Sequence, residues 1–536
     1  MKHIHLIIVF LTAGILLTGC SKNFQSINTD PEHLTGAVMN YAYLFTAAEL
    51  FTAGNSDGNA YEDERTTMGY AACMIQHLSS TSIFYPGDKY TYNASDNSAY
   101  WEQNYASTGV ATSAVQDIVE VLTHLKADTS QTNLYNIARI FRVFMFQRMT
   151  DIYGDCPYSE SGLGYISGIT TPKYDRQQDI YADLLHELQD AAGKLDPNRK
   201  NTVGPSDILY GGDPVEWKKF AYSEMLRLAM RMLKVDPTSA QKWAQTAVAG
   251  GVMDNVADNA AYTHINYTTG SPTVNGIGMV LLVLDPNSTR LSQSFVNYLV
   301  STGDPRLPYF GTVCTTPSSP DSLGNNDPAI QLGQPNGYDN AGGSTDIKQA
   351  PGYPGDQNGY SIVNRNTFAR FDAPTYYLTY AETALLESEA VVRGWITGDA
   401  AAFYISGVTA AMQQMGQMAG MEGSNPAPLP GISDGAIAAY LSANPFNPAD
   451  AINQINSQYW VATFMDEFEA WSNWRRTGYP LLAPVNYTLN VTGGTIPRRM
   501  TYSTSEYSAN AANYKAAVAN LSGGDKMTSR VWWDTK

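Results

Sequence analysis

The chain has 536 residues, with 33 Lys and Arg against 50 Asp and Glu and a formal net charge of -17. That balance excludes nucleic acid and anionic lipid headgroups as partners, because both require clustered cations. The length exceeds what one core usually holds, so two or more packed lobes are expected.

The N-terminus carries Lys2, an apolar run from Leu6 to Leu17, and Leu17-Thr18-Gly19-Cys20. This is the pattern of a bacterial lipoprotein signal, in which residues 1–19 are removed and Cys20 becomes a diacylated N-terminus. The apolar run has 12 residues where a membrane span needs about 20, so a lipid anchor is the one membrane contact expected. Residues 20–35 are polar and lack sustained periodicity, and read as a tether.

Helical patterning dominates from there on. Apolar spacing predicts helices at Ala37–Ala53, Trp101–Leu125, Asn133–Tyr153, Gln178–Lys194, Asp213–Leu233, Ser239–Gly250, Ser292–Thr302, Tyr376–Arg393, Asp399–Met418 and Asp450–Arg476. Leu134, Ile137, Ile140, Phe141, Phe144 and Met145 mark one buried face. Trp460, Phe464, Phe468, Trp471 and Trp474 form a second stripe, at spacings of four, four, three and three. Short connections between several of these helices predict helical hairpins stacked in an array, without a repeat of fixed length. Residues 81–100, 254–290 and 311–372 are rich in Gly, Pro, Asn, Asp, Ser and Thr and compose long loops, which in a compact protein are usually functional or disordered.

Few residues suggest chemistry. The four cysteines are Cys20, Cys73, Cys156 and Cys314, and no CxxC, HExxH or clustered His/Cys spacing occurs, so neither a zinc site, a cofactor nor a disulfide scaffold is expected. Gly54-Asn55-Ser56-Asp57-Gly58 matches the GxSxG of a hydrolase nucleophile elbow, but a predicted helix precedes it and the acidic Tyr61-Glu62-Asp63-Glu64 follows, so it reads as a turn. Asn55, Asp57, Asn59 and Asp63 alternate like calcium ligands, with the glycine and closing Glu misplaced for an EF-hand. Two acidic groups, Asp466, Glu467 and Glu469, and Glu382, Glu387 and Glu389, raise the alternative of a surface glycoside hydrolase. On helices they are expected to face solvent or pair with Arg393, Arg475 and Arg476, and no catalytic residue is assigned.

Aromatic residues are the stronger signal, with 35 Tyr and 9 Trp beside 17 Phe. Tyr and Trp suit wet recognition surfaces because each joins a flat apolar face to a polar handle. The segment from Phe84 through Tyr92 to Trp101 interleaves rings with Asn, Asp and Gly, and makes Tyr85, Tyr90, Tyr92, Tyr100 and Trp101 candidate stacking residues for a sugar or a peptide. Tyr338, Tyr353 and Tyr360 form a second candidate group in the largest loop.

Several segments resemble the SusD/RagB-like nutrient-binding outer-membrane lipoproteins. They are Cys20-Ser21-Lys22-Asn23-Phe24 with Asn28-Thr29-Asp30-Pro31, then Thr150-Asp151-Ile152-Tyr153-Gly154-Asp155-Cys156-Pro157-Tyr158-Ser159-Glu160 with Pro172-Lys173-Tyr174-Asp175. Further ones are Tyr210-Gly211-Gly212-Asp213, Leu226-Arg227-Leu228-Ala229-Met230-Arg231, Gly303-Asp304-Pro305-Arg306-Leu307, Thr379-Tyr380-Ala381-Glu382, Arg475-Arg476-Thr477-Gly478-Tyr479-Pro480 and Arg530-Val531-Trp532-Trp533-Asp534. The resemblance implies a mainly α fold over residues 36–536, with tetratricopeptide-like helical hairpins on one side and irregular ligand loops on the other. It also implies capture of an oligosaccharide or peptide at the cell surface, delivery to a SusC-like TonB-dependent transporter in the outer membrane, and no chemistry by the protein itself.

Overall fold

A computed structural model describes residues 39–52, 54, 60–106, 113–199, 203–265, 273–418 and 429–535. The signal segment, Cys20, the tether and residues 55–59 of the GxSxG turn lie outside the described residues. The fold is mainly helical. Its longer helices are α1 (Tyr41–Thr52), α2 (Ala94–Tyr105), α3 (Ala114–Leu125), α4 (Thr132–Tyr153), α5 (Gln177–Lys194), α6 (Pro214–Arg231), α7 (Pro237–Gly250), α8 (Gln293–Thr302), α9 (Tyr380–Val392), α10 (Ala400–Gln413), α11 (Asp434–Ala443), α12 (Ala451–Ala462), α13 (Glu467–Thr477) and α14 (Ala511–Asn520). A π-helix spans Asp63–Ala72.

Neighbours in sequence pack as hairpins: α4 on α5, α6 on α7 and α9 on α10, with α5 against α6 joining the first two into an array. Local signals account for many helix ends. Asp213 and Asp236 cap helices that begin with Pro214 and Pro237, where the missing amide proton is no loss. Thr379 and Glu382 form a reciprocal capping box on α9. Strands are short pairs: β1 (Leu78–Ser80) with β5 (Thr289–Leu291), β2 (Cys156–Pro157) with β3 (Tyr174–Asp175), β4 (Ala260–Thr263) with β8 (Pro374–Leu378), and β6 (Gly311–Val313) with β7 (Ser361–Val363), all antiparallel. One apolar cluster runs from Ala42 to Trp533, so the lobes expected from length share a core. Cys73, Cys156 and Cys314 are free and buried.

Three predicted elements differ. Trp101–Leu125 is not one helix, because α2 begins at an Asn93 cap and ends at the extended Ala106. Tyr376 lies in β8 and not in the helix that follows. Asp450–Arg476 divides into α12 and α13, with Met465 at φ +71° between them. The aromatic stripe nevertheless stays buried across that break, because both halves face the same core.

Buried charge flanks the break. Asp466 meets Arg148 at 2.7 Å and the fully buried Glu467 meets His77 at 2.7 Å. Deeper in, Arg227 contacts Glu224 at 3.0 Å and Glu382 at 2.7 Å, while Arg231 bonds Glu469 and approaches Asp151 at 3.3 Å. The Tyr459 hydroxyl lies between the Glu382 and Glu469 carboxylates at 3.1 and 2.7 Å. Glu389 takes both terminal nitrogens of Arg476 at 2.7 Å, and Arg393 adds a third contact. A second pillar is aromatic: Trp101 stands edge-on to Tyr153 at 5.1 Å and packs on Tyr105, Tyr174 and Tyr502.

Burial alone would raise the Glu389 carboxyl, but Arg476 and then Arg393 outweigh it and hold the group down to about 2. Its folded value thus lies below the unfolded one of about 4.3, so this contribution is complete above that pH and is lost as pH falls towards 2. We expect Glu389→Gln to cost about 3–5 kcal/mol at neutral pH and to flatten the acid limb of stability, measured by denaturant titration at several pH values. Trp101→Ala is expected to cost about 3–5 kcal/mol by the same measurement, since it opens a hole among four rings.

Candidate functional site

The site grows from the β1/β5 ribbon, which pairs Leu78 with Leu291, Ser79 with Arg290 and Ser80 with Thr289. The π-helix precedes β1 and the 81–93 loop follows it. Two buried charges pin that loop: Lys89 Nζ donates to the Ser80 carbonyl at 2.6 Å, and the Asp88 carboxylate accepts from Ser80 N, Asn336 Nδ2 and Gly337 N. Gly87 packs so closely that a Cβ there would sit 2.3 Å from the Tyr70 carbonyl oxygen. With the loop held from below, Ile83 and Phe84 project outward, 69% and 70% exposed.

Beneath Phe84 lies a pocket of about 460 Å³, walled by Glu64, Arg65, Tyr85, Asn93, Asp96, Leu284 and Asp285. Arg65 Nη1 donates to Asp96 at 2.7 Å, and its guanidinium lies 4.8 Å over the Tyr61 ring. Arg65 Nε and the Tyr85 hydroxyl are buried without a hydrogen-bond partner. Burial raises the Glu64 carboxyl, Arg65 pulls it back, and Asp285 and Asp96 add to the rise. The pocket thus offers an apolar ring, an unfilled donor, a hydroxyl and carboxylate acceptors. That set suits a ligand dense in hydroxyl groups.

A second cleft of about 390 Å³ lies at the other end of the ribbon, beside Gln76, Gln293, Asn336, Tyr338 and Asn486. Its loops are tied together by Asp339, which accepts from the Tyr487 hydroxyl at 2.7 Å and the Thr345 hydroxyl at 2.8 Å.

The candidate aromatics separate into two kinds. Tyr85, Tyr90, Tyr100, Trp101 and Tyr360 are interior, each 1–2% exposed, so none presents a ring face for a ligand to stack on. Tyr90 adopts φ +56° and its hydroxyl accepts from Val485 N at 3.2 Å, Tyr100 packs edge-on to Phe468, and Tyr360 anchors its loop on Ile347 and Ala350. Trp101, 2% exposed, borders a third cleft of about 400 Å³ that the exposed Tyr165 also lines. Tyr92 is 42% exposed, Tyr338 is half-buried in the second cleft, and Tyr353 is half-buried against Tyr360. The ring that sequence reasoning passed over is Phe84, flanked by apolar and aromatic neighbours in the segment it singled out. Arg65, Glu64 and Asp96 gave no signal beyond an acidic run, and Asp285 reaches the site from a different loop.

The acidic groups weighed for hydrolysis do not face solvent. Asp466, Glu467, Glu469, Glu382 and Glu389 are buried, and each engages an Arg or His side chain. Glu382 and Asp466 border an internal void of about 30 Å³, room for about one water and not for a sugar. Glu387, 6% exposed, is pushed up to about 8 by burial. Of the calcium-like set, Asp63 is buried beside Glu62 and raised by burial and that neighbour's charge, while Asn55, Asp57 and Asn59 lie outside the described residues. Among the described residues no group of three His, Cys, Asp or Glu side chains is placed to hold a metal ion.

A family model described as SusD-like, starch-binding and associating with the outer membrane matches residues 37–503. No curated protein matches the chain. Among solved structures, a chitin-binding protein shares 31% identity over 93% of this chain and 100% of its own, with a TM-score of 0.78. A SusD-like protein of Bacteroidetes AC2a shares 28% over the same fractions, also at 0.78. A chitin-binding SusD homologue from Flavobacterium johnsoniae, at 22% identity, covers 92% of this chain and 99% of its own with a TM-score of 0.72, a likeness of fold alone. Among the described residues no helix is long and apolar enough to cross a membrane. The motif series, the hairpin array with its long loops and the match over most of the chain agree: the protein belongs to the SusD-like family of nutrient-binding, outer-membrane-associated proteins.

Proposed function

We propose that the protein captures an oligosaccharide in the Phe84 pocket and passes it to a SusC-like TonB-dependent transporter, acting by binding without turnover. The observation that carries this reading is the exposed Phe84 ring standing over the unfilled Arg65 Nε donor, the Tyr85 hydroxyl and the Glu64 and Asp285 carboxylates. A sugar ring has an apolar face edged by hydroxyls that both donate and accept, so it satisfies these groups together. The family's description as starch-binding and the 31% identity to a chitin-binding protein support a glycan over a peptide. Cys20 supplies the lipid anchor in this reading, which places the body at the outer membrane facing the cell exterior. Tyr338, in the cleft at the far end of a ribbon about 10 Å long, and Tyr92 serve as further platforms for a longer chain.

Oligomers of N-acetylglucosamine and of glucose are the first ligands to titrate by calorimetry. Phe84→Ala is expected to weaken binding of the preferred oligomer by about 1–3 kcal/mol, the range of other aromatic stacking contacts, with unfolding unchanged because the ring is 70% exposed. Full affinity in Phe84→Ala with loss in Tyr338→Ala moves the site to the second cleft. For the partner, affinity purification from detergent-solubilised outer membranes is expected to recover a TonB-dependent barrel, and its absence overturns the delivery role.

A further inference from the structure

The Phe84 pocket holds more negative charge than a neutral sugar calls for. Glu64, Asp96 and Asp285 line it against Arg65. Asp96 already engages Arg65 at 2.7 Å, and at Glu64 the pull of Arg65 is opposed by Asp285 and Asp96. Asp285 holds the Ser288 hydroxyl, a neutral partner. The second feature is Tyr85. It is 1% exposed and lines the pocket, and its hydroxyl makes no hydrogen bond of ordinary geometry but faces the Asp285 carboxylate, with the Glu64 charge close by, so its oxygen is left to accept. A buried hydroxyl left in that state is stabilised by a ligand that donates to it.

The carboxylates are not placed for a metal ion, since no suitable group of three occurs among the described residues. A cavity of about 460 Å³ with Phe84 and Leu284 on its wall fits an organic cation instead. An ammonium group donates three hydrogen bonds and also favours the face of an aromatic ring. Resting on the glycan reading above, we propose that this pocket selects an amino sugar with a free ammonium group, a glucosamine unit of a partly deacetylated chitin-type oligosaccharide, over the N-acetylated or neutral sugar. Glu64 and Asp285 balance the ammonium charge, the Tyr85 oxygen accepts one of its protons, and Phe84 covers the ring.

The test is calorimetric titration of the full chain with the hexamer of N-acetylglucosamine and the hexamer of glucosamine, at low salt and about pH 6, since the amine of an amino sugar is less basic than an alkylamine beside its electron-withdrawing oxygens and is largely charged only below neutrality. The glucosamine hexamer is expected to bind about tenfold more tightly, and the ratio between the two to shrink towards one at about 0.5 M salt. The ratio also shrinks in the Glu64→Gln/Asp285→Asn variant, with Asp285→Asn alone as the milder substitution if the pair disturbs folding by circular dichroism. Equal or tighter binding of the acetylated hexamer overturns the inference, and if Phe84→Ala weakens that binding the glycan reading stands without it. Binding of neither hexamer, nor of a glucose oligomer, removes both. A lysine-containing peptide that binds as tightly as the glucosamine hexamer overturns the assignment to a sugar.

Discussion

Everything in this fold is organised around charges that cannot reach water. Asp151 on α4, Glu224, Arg227 and Arg231 on α6, Glu382 on α9 and Glu469 on α13 meet in the interior, with Tyr459 of α12 bridging two of the carboxylates. Removing such groups from water is costly, and the cost is recovered only when every partner is in register. A slip of α13 by one residue would leave Glu469 unmatched and take from Arg231 one of its two carboxylate partners. The network therefore fixes which face each helix turns inward, while apolar burial supplies most of the driving force. Ion pairs also flank the point where α12 and α13 separate: Asp466, just before α13, reaches Arg148, and Glu467, its first residue, reaches His77.

The same logic extends to the loops around the β1/β5 ribbon. A loop such as 81–93 has no repeating hydrogen-bond ladder, and it is held by interior polar contacts instead. Lys89 and Asp88 tie it to β1 and to the 336–337 turn, so a segment rich in glycine and polar residues becomes a fixed platform. Its aromatics then divide by depth. Tyr85, Tyr90 and Tyr100 anchor the platform, and Phe84 and Tyr92 are left facing outward. Arg65 and Glu64 come from the π-helix, Asp96 from α2 and Asp285 from the strand of chain before β5, so the pocket exists only where three distant segments meet.

This arrangement separates two roles for acidic residues. Those of the central network, Asp151, Glu224, Glu382, Glu389 and Glu469, are paired with arginine and hold the helices in register. Those of the Phe84 pocket outnumber the cation beside them and face an open cavity. An overall charge of -17 does not distinguish the two groups, since both contribute to it equally. Family membership explains the scaffold, whereas in the proposed reading ligand choice rests on the few side chains that the loops bring to the ribbon.

Much of the scaffold was legible in the residues. Apolar periodicity located the helices, and α4 buries the six residues its spacing singles out, because a regular helix converts spacing directly into direction. The motif series identified the family. Loop composition marked the irregular segment that carries Tyr85 and Phe84. Tyr85 and Phe84 are adjacent aromatics in one loop, yet one is 1% exposed and the other 70%, and no sequence period predicts that difference. Nor does any local pattern say that Glu382 and Glu469 turn inward to Arg227 and Arg231 while Asp285 turns to the pocket. Helix positions and family were thus determined by local spacing and motif order, whereas the inward and outward sense of each loop ring and carboxylate was decided only by long-range pairing in the folded chain.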